Sequence, residues 1–306
     1  DERLHISARL LLNKPRTAPN LRESCMSHAS VFDKFTPTPV SANGYCIYDF
    51  LGIATDVRFK REWAKFAPPR GSEYTPPLPQ VNEHYFDWVL TLESVVRASG
   101  TYRMIELGAG WGTWASVAAA AAKQQPNIGS VEIVAIEADQ TRFDWMRRHF
   151  ATNNVGSETT HLMHGAVAAE AGTVRFPVLD DPSIGYGTSL YEVHSQRPFV
   201  EVPAYTIDAL ISKLSGPVDF LHIDIQGTEY DILPKAMETL NKNVKAIMIG
   251  THFSLEKHNE IAELFSKMEW REVMHYPRNA LCKTPYGEVQ FGDGLLAIEN
   301  PRFISQ

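Results

Sequence analysis

The 306-residue sequence lacks the features that mark secreted and membrane proteins. It has three cysteines, Cys25, Cys46 and Cys282, which are far apart and form no Cys-x-x-Cys pair. This spacing argues against a disulfide framework or a cysteine-based zinc site and favours a reduced compartment. No apolar run approaches membrane-spanning length, and the first residues lack the apolar core of a signal peptide. We therefore expect a cytoplasmic protein without a transmembrane segment.

Positive charge is also scarce. Asp and Glu number 36 against 29 for Lys and Arg, which gives a formal net charge of −7. A protein that follows nucleic-acid phosphates needs the opposite balance, so we expect no nucleic-acid partner. The chain does have 44% hydrophobic residues, enough for the core of a large domain. A homo-oligomer is compatible with this composition.

The pattern of the sequence changes near residue 80. Residues 1–80 are punctuated by prolines and aromatics, which predicts an irregular N-terminal extension with short helices and a strand pair near 45–59. Residues 81–306 are expected to form the main domain. In that domain strands are predicted at 102–107, 131–136, 159–163, 218–224, 244–250, 270–276 and 294–299, and helices at 82–99, 113–124, 140–152, 229–241 and 254–268.

Strands that alternate with helices of ten to fifteen residues predict an α/β fold with a doubly wound, mostly parallel seven-stranded sheet. The last two predicted strands have no long helix between them, which predicts a terminal antiparallel hairpin. Residues 172–207 interrupt the alternation. We expect an inserted strand pair there, with a glycine-rich loop at 183–190 that is mobile and lies beside the ligand crevice.

A glycine-rich turn follows the first strand of this domain. Residues 105–112 read Ile-Glu-Leu-Gly-Ala-Gly-Trp-Gly. The turn has few side chains, so a ligand can lie against its backbone, although a plain structural turn is the alternative interpretation. A dinucleotide site prefers G-x-G-x-x-G, whereas here the third glycine comes one residue early and Glu106 precedes the turn. That carboxylate would repel a pyrophosphate but suits a cationic group such as the methionine part of S-adenosylmethionine.

The motif E-x-G-x-G-x-G resembles the first motif of class I methyltransferases, which implies S-adenosylmethionine as cofactor. Glu137 ends the second strand, where a carboxylate can accept hydrogen bonds from both ribose hydroxyls; a solvated surface acid is the alternative. Ala138 would lie beside the adenine, and Ala166 would leave room for it. From the turn, the expected cofactor-binding residues are Glu106, Gly108, Ala109, Gly110, Trp111 and Gly112.

A second segment narrows the family. Residues 218–230 read Val-Asp-Phe-Leu-His-Ile-Asp-Ile-Gln-Gly-Thr-Glu-Tyr, which resembles the K-I-D-V-E-G-x-E strand of FkbM-type methyltransferases. With the motifs around 165–176 and 205–210, the resemblance covers about 100–300. Two positions depart from the pattern: His222 replaces the lysine and Gln226 replaces the first glutamate. If the lysine has a proton-transfer role, His222 must take it over or the chemistry has shifted.

The resemblance implies an O-methyltransferase whose acceptor is a small molecule or saccharide, in particular a sugar hydroxyl of a polysaccharide, glycolipid or glycosylated natural product. A polyketide hydroxyl, a nitrogen acceptor and a catalytically silent binding protein remain alternatives. His222, Asp224 and His252 end or line strands at the same edge of the predicted sheet. We expect His252 or His222 to act as base and Asp224, also a cofactor contact, to orient it or the acceptor.

Two alternatives remain open at these residues. Asp224 can cap the turn while one histidine packs in the core, or His222, Asp224 and His252 can hold a divalent metal, which we do not expect. Tyr186 and Thr188 are predicted lid residues because glycines flank them. Tyr74, Tyr85, Trp88 and Trp111 could form an aromatic wall for the acceptor or the cofactor, although we expect core packing for Trp88 because Phe86, Val89, Leu90 and Leu92 surround it. Residues 1–80 are expected to cap the acceptor.

Overall fold

The computed structural model describes residues 28–184, 186–188, 190 and 198–303. The helices are α1 (Tyr85–Arg97), α2 (Thr113–Ala122), α3 (Gln140–Asn153), α4 (Ile207–Ile211), α5 (Glu229–Asn243) and α6 (Leu255–Ser266), with short 3-10 helices at Ser30–Lys34, Arg61–Phe66 and Pro301–Phe303. The strands are β1 (Val40–Ser41), β2 (Cys46–Tyr48), β3 (Ala54–Asp56), β4 (Glu73–Tyr74), β5 (Gly100–Leu107), β6 (Ile128–Glu137), β7 (Thr160–His164), β8 (Ala166–Val167), β9 (Gly172–Pro177), β10 (Phe199–Tyr205), β11 (Phe220–Ile223), β12 (Ala246–Thr251), β13 (Arg271–Tyr276), β14 (Ala280–Thr284), β15 (Gly287–Phe291) and β16 (Gly294–Glu299).

A seven-stranded sheet organises the molecule, in the order β7-β6-β5-β11-β12-β16-β13. The first five strands in this order are parallel, and β16 runs antiparallel to both of its neighbours. The predicted mostly parallel, doubly wound sheet is confirmed. The strand order reverses between β5 and β11, and ligands of such sheets bind at that switch point, outside the carboxyl ends of the strands.

Helices cover both faces of the sheet because alternate strand residues are apolar on both sides. Met104 and Phe220 belong to the core cluster of α1 and α2, whereas Ile105 and Leu221 belong to the cluster of α4, α5 and α6. The residues that the structure describes before α1 share the first core, where Phe32 lies against the ring of Tyr85. No helix within the described ranges is long and apolar enough to cross a membrane.

Two departures from the central sheet bear on the site. Strands β9 and β10 pair antiparallel and join β8 in a small sheet, so the extra strands expected within 172–207 are present. Of the expected loop at 183–190, Gly185 and Ser189 lie outside the described residues. The antiparallel pairing of β13 with β16 is as expected, but the hairpin β14–β15 is inserted between them and was not predicted. Its Phe291 stacks on Tyr276 and closes the first core.

We expect the turn after β5 to tolerate no side chain at Gly108. A Cβ there would lie 1.9 Å from the carbonyl oxygen of Asp224, and φ is +74°. Gly71 also has a positive φ, +83°, but no atom lies within 4 Å of its added Cβ. Gly71→Ala should therefore cost about 1–2 kcal/mol of unfolding free energy from backbone strain alone. Gly108→Ala should cost clearly more, and equal losses in urea denaturation would contradict the packing described here.

Candidate active site

The glycine turn packs directly on the end of β11. Gly108 lies against the backbone of Asp224, so the first motif and the Asp224 segment meet at one point of the sheet edge. Gly112 has a different environment: its Cβ would lie 2.6 Å from the ring of Phe150 on α3. Gly110 faces open space and donates its N–H to Glu137 Oε2 at 2.8 Å. Gly108 and Gly110 therefore present backbone to a ligand, whereas Gly112 packs helices together.

Glu106 lies beneath the turn with 2% of its surface exposed. Its carboxylate accepts hydrogen bonds from the backbone N–H groups of Trp114, at 3.2 Å, and Ala115, at 2.8 Å. Burial raises the pKa of Glu106 to about 7, against the opposing effects of His222 and the two N–H groups. The observed contacts anchor the first turn of α2, and a direct contact between Glu106 and the cofactor stays a prediction.

Glu137 ends β6 facing the switch point. Its Oε1 accepts from the N–H of Asp139 at 2.8 Å, and its Oε2 holds Gly110. Asp139 in turn caps α3 by accepting from the N–H of Arg142 at 2.9 Å. Burial raises the pKa of Glu137 to about 7. Each carboxylate oxygen keeps a lone pair, so Glu137 can still accept hydrogen bonds from two neighbouring hydroxyls of a ribose.

An open cavity lies between these motifs. One wall is apolar, since Ala138, Ala166 and Phe176 belong to one cluster, and it suits a flat aromatic base. The lining also includes the carboxylate residues Glu137 and Asp224. These features fit the three parts of S-adenosylmethionine: the backbone of the turn suits the methionine part, the carboxylate of Glu137 suits the ribose, and the apolar wall suits the adenine. The lining residues are Gly108, Gly110, Ile136, Glu137, Ala138, Arg142, Gly165, Ala166, Val167, Phe176, Tyr186, Thr188, Leu190, Asp224, Ile225, Gln226 and Thr228.

Tyr186 and Thr188 line this cavity, where a lid residue is expected to lie. The hydroxyl of Tyr186 donates to the carbonyl of Phe59 in the N-terminal extension. The guanidinium of Arg142 lies 4.2 Å from the centre of the Tyr186 ring and donates to the carbonyls of Pro182 and Ile184. The extension and α3 therefore both hold this loop over the cavity. Neither Arg142 nor Phe59 belongs to a sequence motif, so sequence reasoning missed both.

The predicted aromatic wall is not formed. Tyr74 lies on β4, which pairs with β1 rather than with the central sheet, and its ring contacts Tyr48. Tyr85 is fully buried, and Trp88 packs against Trp114. Neither Tyr74 nor Trp111 is among the residues that line the cavity. Trp111 instead belongs to a different aromatic cluster, with Phe59, Trp63, Trp145 and Tyr186.

His252 lies between two carboxylates just beyond β12. Its Nδ1 is 3.0 Å from Oε1 of the fully buried Glu229, and its Nε2 is 3.3 Å from Oδ1 of Asp224. Burial alone would lower the pKa of His252, but the two carboxylates outweigh it and raise the pKa to about 10. His252 is therefore an imidazolium at neutral pH. A charged imidazolium cannot accept a proton, which argues against His252 as the resting base.

His222 lies apart from this pair. Its Nε2 is 2.9 Å from Oδ1 of Asp87, a residue of α1. Of the three side chains expected to converge, the structure therefore brings Asp224 and His252 into contact, whereas the contact of His222 is with Asp87. Among the residues that the structure describes, no group of three His, Cys, Asp or Glu side chains is arranged to hold a metal ion. The metal alternative has no support in this geometry.

Two residues after β11 complete the site. Glu229 accepts from the N–H of Gly227 at 2.8 Å as well as from His252, so it ties the loops after β11 and β12 together. Gln226 has φ of +54° and donates from Nε2 to Asp224 Oδ1 at 2.6 Å. The side chain of Asp224 is 47% exposed and faces the cavity. The carboxylate of Asp224 is thus accessible from the cavity.

The strand order, the glycine turn after the first parallel strand and the carboxylate after the second define a class I methyltransferase. Residues 100–274 match the model of the methyltransferase FkbM domain. A putative methyltransferase of Jannaschia sp. (strain CCS1) is 29% identical over 225 residues, which cover 70% of this chain and 78% of that protein. The chain belongs to the FkbM family of methyltransferases.

Solved structures with a similar arrangement are distant in sequence. The FkbM methyltransferase from Methylobacillus flagellatus KT matches with a TM-score of 0.43 and 15% identity, over 66% of this chain and 44% of that chain. This chain thus spans less than half the length of that protein. The precorrin-6y C5,15-methyltransferase from Geobacter metallireducens GS-15 matches with a TM-score of 0.39 and 13% identity, over 69% and 86% of the two chains.

The two carboxylates around His252 predict an unusual titration. We expect the imidazolium to persist well above pH 7, and Glu229→Gln to lower the pKa of His252 by about 1–2 units because one opposite charge is lost. A raised pKa means that this contact stabilises the fold fully below the ordinary value of about 6.5 and loses its effect as the pH rises towards 10. NMR titration of the histidine rings measures the shift.

Glu238→Gln provides the matched control because Glu238 lies on the same helix and pairs with Lys242 at the surface. This change should leave the titration of His252 unaltered. A wild-type His252 that loses its proton near pH 6.5 would contradict the arrangement described here.

Proposed function

We propose that this protein is an S-adenosylmethionine-dependent O-methyltransferase that methylates a hydroxyl of a sugar in a polysaccharide, glycolipid or glycosylated natural product. The observation that carries the proposal is the cavity in which the backbone of Gly108 and Gly110 and the carboxylate of Glu137 face Asp224. Membership of the FkbM family supports methyl transfer. The saccharide acceptor rests on the resemblance in sequence, and the net charge of −7 disfavours a nucleic acid.

In this proposal the protein positions two reactants in line. S-adenosylmethionine supplies an electrophilic methyl group when it is bound. Glu137 would hold the ribose, the slot formed by Ala138, Ala166 and Phe176 the adenine, and the turn at 108–110 the methionine part. Such positioning is the main contribution that a protein makes to a displacement of this kind.

Asp224 is the proposed group that receives the acceptor hydroxyl. Its side chain lines the cavity and is 47% exposed, while Gln226 and His252 contact its Oδ1. Burial would raise the pKa of Asp224, but the hydrogen bond and charge of His252 hold it below its usual range. Asp224 is therefore ionised, and it would orient the hydroxyl and take up its proton as the oxygen bonds to the methyl carbon and the carbon–sulfur bond of the cofactor breaks, which leaves S-adenosylhomocysteine. His252 acts as the cation that orients Asp224, which reverses the roles expected from the sequence.

The N-terminal extension and the loop that carries Tyr186 would cover the acceptor. The hydroxyl of Tyr186 donates a hydrogen bond to the carbonyl of Phe59, and Trp63 belongs to the same aromatic cluster. Aromatic faces and hydroxyl groups suit a sugar ring, which has apolar and polar surfaces. Residues 1–80 thus form the proposed capping unit and 81–306 the cofactor-binding domain.

Cofactor binding is tested by calorimetry with S-adenosylhomocysteine. The wild-type protein should bind it and should not bind NAD. Glu137→Gln should weaken binding by about tenfold to a hundredfold, since charge-assisted hydrogen bonds of about 1.5–3 kcal/mol are reduced. Glu132→Gln is the matched control on the same strand, where Glu132 pairs with Arg103 away from the cavity. A wild-type protein that fails to bind S-adenosylhomocysteine would refute the cofactor assignment.

The acceptor is tested with nucleotide sugars and oligosaccharides in the presence of methyl-labelled cofactor, with products read by mass spectrometry. With an acceptor in hand, Asp224→Asn should lower kcat by about 10²- to 10⁴-fold, the usual effect of losing a general base. Affinity for S-adenosylhomocysteine should fall much less. Unchanged turnover in Asp224→Asn would remove Asp224 from the mechanism, and methylation of polyketides or amines alone would replace the sugar acceptor.

A further inference from the structure

A buried ion pair joins α1 to β11, and neither of its residues lines the cavity. Asp87 on α1 and His222 on β11 are 2.9 Å apart, with side chains 7% and 4% exposed. Because water does not reach this pair, removal of either residue would leave the charge of the other one uncompensated. Asp87 precedes residues 100–274, the part of the chain that matches the family model.

His222 connects Asp87 with the cofactor turn. In the parallel pairing of β5 and β11 it lies opposite Glu106, and its ring packs against Trp114 with centroids 5.9 Å apart. The carboxylate of Glu106 holds the N–H groups of Trp114 and Ala115 at the start of α2. The path from α1 to the glycine turn therefore consists of the carboxylate of Asp87, the imidazole of His222, the carboxylate of Glu106 and the amino end of α2.

The charges along this path alternate in sign. Burial alone would lower the pKa of His222, but the hydrogen bond and charge of Asp87 outweigh it, with further contributions from Glu106 and Asp224, and the pKa is raised. Burial would raise the pKa of Asp87, yet His222 and His84 hold it below its usual range. The titratable groups that face His222 are thus Asp87 on α1, Glu106 on β5 and Asp224 after β11, with His84 behind Asp87.

We propose that Asp87 is a positioning residue of the cofactor site and acts through His222 and Glu106. Asp87 keeps His222 charged, the cation keeps Glu106 ionised, and the ionised carboxylate fixes the first N–H groups of α2 and with them the glycine turn. The proposal rests on the cofactor site proposed above. It extends that site to α1, outside the segment that matches the family model.

Loss of the Asp87 charge has a defined consequence. Without its nearest carboxylate the buried imidazolium loses its proton more readily, and the pKa of Glu106, which the charge of His222 lowers, then rises further above its ordinary value. A neutral carboxylic acid accepts hydrogen bonds more weakly than a carboxylate. The turn that carries Gly108 and Gly110 should therefore be less well fixed, although no residue that lines the cavity has been changed.

The test combines two variants with a control and two measurements at pH 8. Asp87→Asn should convert His222 from the imidazolium to the neutral ring, seen in its NMR signals. Its affinity for S-adenosylhomocysteine should fall about tenfold, the equivalent of one pKa unit of interaction. Glu93→Gln removes a carboxylate from the same helix, where Glu93 pairs with Arg97 at the surface. This control should change neither measurement.

Asp87→Asn/His222→Gln keeps the proposal testable if the single variant folds poorly, because it removes both charges of the buried pair. It should bind S-adenosylhomocysteine as weakly as Asp87→Asn alone, since both variants act through Glu106. Binding as tight as that of the wild type in either folded variant would overturn the proposal, and so would a neutral His222 in the wild type. If the wild type itself fails to bind, the cofactor assignment fails and the proposal with it.

Discussion

The contact between Gly108 and the backbone of Asp224 is the constraint on which the site depends. Two distant segments meet there with no room for a side chain, since a Cβ on Gly108 would lie 1.9 Å from the Asp224 carbonyl oxygen. The N–H of Asp224 also donates to the carbonyl of Leu107, so the end of β11 is held on both sides. This contact places the glycine turn beside the carboxylate of Asp224, and both line the cavity.

Buried carboxylates connect the other segments around the site. Glu106 anchors α2, Glu137 joins the turn to the segment after β6, and Glu229 joins the loops after β11 and β12. Each accepts from backbone N–H groups that would otherwise be unsatisfied away from water. These acidic residues therefore have a structural role in addition to any contact with the cofactor. Glu137 has the structural role and also lines the cavity, where its contact with a ribose is proposed.

The fold could be predicted from the sequence because its signals are local. Each apolar strand, each helical pattern and the turn at 108–112 occupies one short segment. The alternation of strands and helices then predicts a mostly parallel sheet. The site could be predicted only where a motif ends a strand, as at Glu137 and Asp224. The partner of His222 could not, because Asp87 lies 135 residues earlier on a helix that carries no motif. The position of Tyr74 could not be predicted either, because composition alone does not show which sheet a short strand joins.

The N-terminal part of the chain contributes to the site in two separate ways. From above, the backbone of Phe59 holds Tyr186 over the cavity; from behind, Asp87 meets the buried ring of His222. The family-matched segment contains the five parallel strands and the turn, whereas Phe59 and Asp87, which contact Tyr186 and His222, both precede position 100. Phe59 packs in a separate aromatic cluster with Trp111 and Trp145. Substitutions before position 100 can therefore alter both contacts while the glycine turn and Glu137 stay unchanged.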